Sequence, residues 1–117
     1  MIRQNTRIFS VLSNPVRLRC LYLLARNAEI CVCEFVEALE ISQPSASKAL
    51  AALKAAGLVT DRRDANWTYY CLNPALSAWQ QTIIEATVEE LSASKSCRID
   101  EERFLRQASA TGKTTCL

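Results

Sequence analysis

A tight turn at residues 41–44 constrains the fold of this chain more than any other sequence feature. Four apolar residues before the turn follow the i, i+3, i+4, i+7 spacing of one buried helical face: Val32, Phe35, Val36 and Leu39. After the turn begins, Ser42 is a suitable N-cap, and Pro44 falls in the first helical turn, where its missing N–H does no harm. The sequence therefore predicts two helices, over about 32–39 and about 43–56, joined by this turn.

Two further helices are predicted before this pair. Apolar residues near the N-terminus indicate a short first helix. Asn14 is a good N-cap, and Pro15 suits the first position of a helix because its fixed φ is already helical. The second helix is therefore predicted over about 15–26.

A β-hairpin is predicted after the helix pair. Residues 58–63 and 67–72 favour two strands around a turn at 64–66, where Asn66 can adopt the positive φ that glycine usually supplies. Asn73-Pro74 then predicts the start of another helix by the cap-and-proline device. The order of four helices, a hairpin and a helix indicates a mainly α winged helix-turn-helix, with helices flanking a two-stranded wing.

The net charge of +2 is unevenly distributed along the 117 residues. Residues 1–28 contain five arginines and no acid, and residues 41–63 contain four bases against one acid, whereas residues 29–40 contain four glutamates and no base. A local basic surface on a nearly neutral protein is typical of a protein that meets phosphate with one face. Ordinary solvent-exposed arginines that contact no nucleic acid would explain the charge of residues 1–28 equally well.

The helix after the turn has the composition of a DNA recognition helix. Small or polar residues occupy its first two turns: Gln43, Ser45, Ser47 and Lys48. In a helix-turn-helix, residues there face base edges in the major groove, and glutamine, serine and lysine can all bind them. Arg62 and Arg63 on the hairpin are expected to contact backbone phosphate, whereas Asp64 would repel it. Double-stranded operator DNA is the predicted partner.

Dimerisation is expected because one such domain reads too few base pairs for useful specificity. The predicted homodimer interface combines the first and last helices: Ile8, Phe9, Leu76, Trp79, Ile83 and Thr87. Some of these residues would instead serve the core of one chain. We assign residues 1–95 to the DNA-binding and dimerisation domain, and residues 96–117 to a polar C-terminal tail with room for one short helix before a disordered end.

Cys31 and Cys33 form a pair of thiols in a chain of six cysteines and no histidine. Without a signal peptide or membrane span we expect a cytoplasmic protein, no membrane partner and reduced thiols. Thiolates favour soft ions, and a helix N-terminus lowers thiol pKa values. Helical residues two apart point about 200° away from each other, so the pair can share an ion only if the helix start is irregular.

Five segments together resemble the ArsR/SmtB family of metal- and metalloid-responsive repressors, over about residues 5–95. They are residues 14–24 (NPVRLRCLYLL), 31–34 (CVCE), 42–48 (SQPSASK), 57–59 (GLV) and 67–70 (WTYY). The CVCE segment resembles the arsenical-resistance repressors in particular. The resemblance implies a dimeric repressor that binds its operator without ligand and releases it when arsenite or antimonite, As(III) or Sb(III), binds. The family's wing turn usually carries glycine, and this chain departs from that pattern.

The resemblance implies that trivalent arsenic binds three thiolates. Cys31 and Cys33 supply two. Cys97 and Cys116 in the tail could reach across, from the same chain or its partner, and Cys97 is the candidate for the third. The family often has another cysteine three residues after the pair, where this chain has Val36. Two protein thiolates and a small external ligand, or a monomethylated arsenical, would also complete the site.

Other functions remain open from the residues alone. The same thiols could sense cadmium or lead, or could respond to oxidation, although a disulfide within a Cys-X-Cys pair is strained. We expect neither an enzyme nor a permanent cofactor, because the chain has no histidine base, glycine-rich loop or convergent carboxylates.

Overall fold

The structure, a computed structural model, describes residues 2–111, which form six helices and three strands. In chain order these are α1 (Ile2–Leu12), α2 (Pro15–Arg26), β1 (Ile30–Cys31), α3 (Val32–Leu39), α4 (Gln43–Ala55), β2 (Val59–Asp64), β3 (Trp67–Leu72), α5 (Ala78–Leu91) and α6 (Lys95–Thr111). The end of the tail assigned from the sequence, residues 112–117, lies outside the described residues. The mainly α winged helix-turn-helix is confirmed.

Side-chain caps fix the starts of α2 and α4 as predicted. Asn14 Oδ1 accepts hydrogen bonds from the backbone N–H groups of Val16 and Arg17, at 2.9 and 3.1 Å. Ser42 Oγ accepts one from Ser45 N at 3.2 Å. Such bonds satisfy N–H groups that have no partner within the helix.

The sheet has three strands instead of the expected two. β2 and β3 form the wing, an antiparallel hairpin running from the Val59–Leu72 pair to the Asp64–Trp67 pair. The short strand β1 joins the other edge of β3, in the order β1-β3-β2. Its two residues are buried, and burial favours pairing of their backbone polar groups with β3.

The wing turn differs from the expectation in one residue. Ala65, not Asn66, has the positive φ of 57°. Because Asp64 pairs with Trp67, only Ala65 and Asn66 remain in the turn. Two-residue hairpin turns need a positive φ at the first central position, which here is Ala65.

The predicted helix start at Asn73-Pro74 is wrong. Asn73 donates from its backbone N–H to Leu58 O at 2.9 Å and from Nδ2 to Gly57 O at 2.8 Å. Its side chain therefore ties the end of the wing to the end of α4. Helix α5 begins only after Ser77, whose backbone N–H donates to Gln80 Oε1 at 3.0 Å.

The C-terminal helix α6 differs from the expected polar tail, because its first part packs into the core. Cys97 and Phe104 are buried, and so is Asp100. Arg19 of α2 binds the Asp100 carboxylate through Nε and Nη2, both at 2.8 Å, and Arg103 binds it at 3.2 Å. Pairing with two arginines allows a charged residue to be buried, which hydropathy alone does not anticipate.

The hydrophobic core is built mainly from α2, α3, α4 and the start of β2. Its largest fully buried members include Tyr22, Phe35, Leu39, Leu50, Leu53 and Leu58. No single helix among the described residues is long and apolar enough to cross a membrane. A helix pair bent by 103°, Asn5–Leu12 and Pro15–Arg26, reaches that length and apolarity only when taken together.

Candidate thiol site and nucleic-acid interface

The two thiol residues lie at the junction between strand and helix. Cys31 ends β1 and is the N-cap of α3, with an extended backbone at φ −91° and ψ 162°. Cys33 is the second residue of α3. The two sulfur atoms are 2.8 Å apart. The irregular start that a shared ion requires is therefore already present.

Access to the two sulfurs is unequal. Cys33 is exposed, but Cys31 is only 1% exposed. The Glu34 carboxylate is also buried, and it accepts a hydrogen bond from Cys31 N at 2.9 Å. Glu34 thus holds the extended backbone at Cys31 in place while leaving a negative charge beside the thiols.

The pKa of the Cys33 thiol is raised to about 11, mainly by partial burial and next by the Glu34 carboxylate. These two effects therefore outweigh the lowering of the thiol pKa that was expected from the helix N-terminus. Loss of the thiol proton at neutral pH needs a ligand that binds the thiolate.

The oxidation state of the cysteines is mixed. Cys31 is disulfide-bonded. Free thiols are found at Cys20, Cys33, Cys71 and Cys97. The expectation of reduced thiols is therefore met at these four positions and not at Cys31. An ion could bind the Cys31 sulfur only after reduction.

The structure brings together two of the three predicted thiol ligands. Cys97 is 1% exposed in the first turn of α6, beside Ser94, and burial raises its pKa. Within residues 2–111 of one chain, no group of three His, Cys, Asp or Glu residues could hold a metal ion. The third ligand stays a prediction.

The thiol site is directly connected to the wing. Cys31 pairs with Tyr69 of β3. Glu29, just before β1, binds Arg62 of β2 through two hydrogen bonds of 2.6 and 2.8 Å. The Arg62 guanidinium also lies 4.6 Å from the centre of the Tyr69 ring. A displacement of Cys31 would thus act on the same strands that form the wing.

The recognition helix α4 presents most of its predicted DNA-binding residues to solvent. Gln43, Ser45 and Lys48 are exposed, and Ser47 is half-buried. The opposite face of α4 is anchored in the core by Ala46, Ala49, Leu50 and Leu53. The amphipathic division of α4 leaves its polar side available to a groove.

The two wing arginines are not equivalent. Arg63 is exposed on one side of β2, whereas Arg62, predicted to reach phosphate, is held by Glu29 and lies 3.6 Å from Asp64. Sequence reasoning missed Glu29 as a functional residue. The only signal was its position at the start of an acidic segment that follows a basic one.

The predicted dimer face is divided between surface and core. Phe9 and Trp79 are 57% and 39% exposed, unusually high for large apolar side chains. Leu76, Ile83 and Thr87 are half-buried. Ile8 is only 2% exposed and belongs to the core of its own chain, so it cannot form an interface surface.

Comparison with known proteins identifies the family. Residues 14–61 match the bacterial regulatory protein family arsR. The chain is 42% identical over 82 residues to the arsenic resistance transcriptional regulator ArsR1 of Pseudomonas putida, a match that covers 70% of this chain and 64% of that protein. It is 39% identical over 79 residues to the arsenical resistance operon repressor of Escherichia coli, covering 68% of each.

A solved structure supports the same assignment. The homodimeric winged helix-turn-helix DNA-binding domain of a Mycobacterium bovis protein is 31% identical, with a TM-score of 0.65, and the match covers 76% of this chain and 82% of that one. The chain spans just under two thirds of the length of the Pseudomonas regulator. On this agreement of sequence and fold, the chain belongs to the ArsR family of bacterial regulatory proteins.

Proposed function

We propose that the protein is a transcriptional repressor that binds operator DNA as a homodimer and releases it when trivalent arsenic or antimony binds Cys31 and Cys33. The observation that carries this proposal is the 2.8 Å separation of the two sulfurs at the junction of β1 and α3. Relatives that are about 40% identical are named as an arsenic resistance transcriptional regulator and an arsenical resistance operon repressor, which supports the choice of ion.

The donor set suits a soft ion. Two thiolates bind soft metals and metalloids better than hard cations. An ion about 2.3 Å from each sulfur, with an angle of at least about 90° between the two bonds, needs the two sulfurs more than about 3.2 Å apart. Binding must therefore push apart two atoms that are 2.8 Å apart in the structure. That movement is the proposed signal.

The signal has two routes to DNA. Through α3, it reaches the helix that supports α4. Through β1, it reaches Tyr69 and the wing. The ion binds tightly only when the two sulfurs have moved apart. By thermodynamic linkage, bound DNA must then weaken ion binding by the same factor as the ion weakens DNA binding.

Two thiolates do not complete the coordination of trivalent arsenic. We propose that a small external ligand fills the third position, with Cys97, from this chain or its partner, as the alternative. For Cys97 to bind the ion, α6 would have to shift, because Cys97 is buried in the first turn of that helix.

Dimerisation places two recognition helices on successive turns of DNA. The exposed rings of Phe9 on α1 and Trp79 on α5 supply the proposed interface. Gln43 and Ser47 at the start of α4 are the proposed base-reading residues, and Arg63 is a proposed phosphate ligand.

A second candidate is a repressor that responds to thiol oxidation, and the disulfide at Cys31 favours it. In that case the thiols of Cys31 and a second cysteine would lose two electrons and two protons to an oxidant such as peroxide, and the disulfide that forms, not an ion, would change the β1–α3 junction. A sensor of cadmium or lead with the same thiols is a third variant within the same family.

One titration separates these candidates. An operator is selected from a random duplex library, and its binding to reduced protein is followed while arsenite, antimonite, methylarsenite, cadmium, lead or peroxide is added. The same series is run on Cys31→Ser, Cys33→Ser and Cys97→Ser, with Cys71→Ser as the matched control. Cys71 lies on β3, where its sulfur is 3.3 Å from Thr60 Oγ1.

Arsenite is expected to release the wild type and Cys71→Ser, but neither Cys31→Ser nor Cys33→Ser. Loss of release in Cys97→Ser as well would identify the third ligand. Release by peroxide alone would favour the redox candidate. If arsenite released every variant equally, Cys31 and Cys33 would not be the sensor.

A further inference from the structure

A cleft of about 220 Å³ lies between the first turns of α2 and α4. Its described lining residues are Asn14, Val16, Arg17, Ser45, Lys48 and Ala49. Three come from the start of α2 and three from the start of the recognition helix. The cleft therefore adjoins the part of α4 that faces a DNA groove in the proposed function.

Four of the lining side chains carry hydrogen-bond donors. Arg17 and Lys48 are cationic, and Ser45 has a hydroxyl. Asn14 uses Oδ1 to accept from the N–H groups of Val16 and Arg17, so the polar atom that remains, Nδ2, is a donor. A cleft lined in this way suits an anion with several acceptor oxygens.

The charge around the cleft is of one sign. None of its described lining residues is acidic. Residues 1–28 contain no Asp or Glu, and residues 41–60 contain none either. By contrast, Lys54, further along α4, is paired with Asp61 at 3.0 Å. Within the described lining of the cleft, the two charged side chains, Arg17 and Lys48, are both cationic.

The helix ends add to the same field. The N-terminal ends of α2 and α4 both border the cleft, and each carries the positive end of a helix dipole. The dipoles alone would not define a site. Together with Arg17 and Lys48 they make the cleft favourable for a phosphate group.

We propose that this cleft holds a backbone phosphate of the bound DNA, with Arg17 and Lys48 as its charged ligands. This inference rests on the proposed function, since it assumes that α4 faces duplex DNA. Arg17 becomes a DNA-contacting residue outside the helix-turn-helix and the wing. Its side chain is positioned from behind by a hydrogen bond from Nη1 to Val11 O at 3.3 Å.

The proposal divides the polar residues of α4 into two roles. Lys48 and Ser45 line the cleft and fix the position of the protein on the backbone. Gln43 is exposed and does not line the cleft, so it stays available to a base edge. Binding to backbone phosphate in this way raises affinity for every sequence equally.

Salt dependence tests this assignment. Binding of the reduced full-length protein to its operator and to an unrelated duplex is measured over a series of salt concentrations, for the wild type, Arg17→Gln and Lys48→Gln. For each phosphate that a variant no longer neutralises, the slope of log Kobs against log salt should become less negative by about 0.9. Both duplexes should be weakened by the same factor.

Two further variants control the experiment. Arg26→Gln removes one charge from the last turn of the same helix, where Arg26 pairs with Glu101 at 2.7 Å, and should keep the wild-type slope. Arg17→Lys keeps the charge and should restore most of the wild-type slope. Thermal melting establishes that each variant is folded, and Lys48→Gln carries the test if Arg17→Gln is not.

The outcomes separate this inference from the proposed function. If the wild type bound no duplex at all, both would be overturned. If the wild type bound DNA but the folded cleft variants kept its salt slope, only the phosphate site would be wrong. A loss confined to the operator duplex would also overturn it, because it would assign these residues to base recognition.

Discussion

Arg62 of β2 and Glu29, which precedes β1, form a two-point ion pair across the sheet: Nε lies 2.6 Å from Oε2, and Nη2 lies 2.8 Å from Oε1. The same guanidinium stacks over Tyr69, the residue that pairs with Cys31. The wing arginine is therefore tied to the segment that leads into the thiol pair. We therefore expect Glu29 to compete with DNA phosphate for Arg62.

Replacing Glu29 with glutamine is expected to release Arg62 to the DNA backbone. Operator binding should strengthen, and its salt dependence should become steeper because one more cation meets phosphate. Filter binding or fluorescence anisotropy at several salt concentrations measures both. Glu37→Gln, which removes an exposed charge from nearby α3, corrects for the loss of a negative charge. Equal effects of the two variants would contradict the role of Glu29.

The Cys33 thiol is expected to react slowly at neutral pH. Its pKa is raised to about 11 by burial and by Glu34, so the thiol form persists well above the ordinary value of 9.0. The rate of alkylation by iodoacetamide, followed by mass spectrometry of the Cys33 peptide, should rise through about pH 11. Glu34→Gln should shift the rise to lower pH. A rate that levels off by pH 9 would contradict this assignment.

Removing the buried carboxylate of α6 should destabilise the fold strongly. Asp100 is 1% exposed and joins α6 to Arg19 of α2, so Asp100→Ala removes the carboxylate partner of a half-buried guanidinium, which keeps only its hydrogen bond to Leu39 O. We expect a loss of about 2–3 kcal/mol in the free energy of unfolding, measured with urea. Glu102→Ala, at an exposed position of the same helix, is the control and should change little. A loss below about 1 kcal/mol for Asp100→Ala would show that the pair is not structural.

Glycine should stabilise the wing turn at one of its two positions only. Ala65 has a φ of 57°, a conformation that costs a residue with a Cβ about 1 kcal/mol. Ala65→Gly is therefore expected to raise the free energy of unfolding by up to about 1 kcal/mol. Asn66→Gly, at the neighbouring position, should give no such gain. Thermal or urea unfolding of the two variants compares them directly, and an equal effect would contradict the assigned turn.

Local signals in the sequence were sufficient for most of the helical framework. Asn14 and Ser42 predicted two helix starts, and both caps are present. Asn73-Pro74 carried the same signal and was wrong: Asn73 Oδ1 accepts from Ala75 N at 2.9 Å, as a cap would, but the chain makes only a turn there and α5 begins after Ser77. Asn73 Nδ2 also donates to Gly57 O at the end of α4, a distant contact that a local cap signal does not reveal.

The candidate site was predictable in its residues and not in its geometry. The spacing of Cys31 and Cys33 indicated a soft-ion site, but it could not show that Cys31 belongs to a strand. That depends on pairing with Tyr69, which lies far along the chain. Burial of Cys31 and the raised pKa of Cys33 follow from the same packing.

The sequence by itself determined the four N-terminal helices and the hairpin that follows them, the caps of α2 and α4, and the polar face of the recognition helix. These features depend on spacing and hydrogen bonds within about four residues. Only the tertiary structure decided that Glu29 pairs with Arg62 and that Arg17 and Lys48 line one cleft. It also decided that the buried Asp100 joins α6 to Arg19 of α2. The partners in these pairs are far apart in the sequence, from 31 residues for Arg17 and Lys48 to 81 residues for Arg19 and Asp100. A local sequence pattern does not encode which distant charge the folded chain brings near.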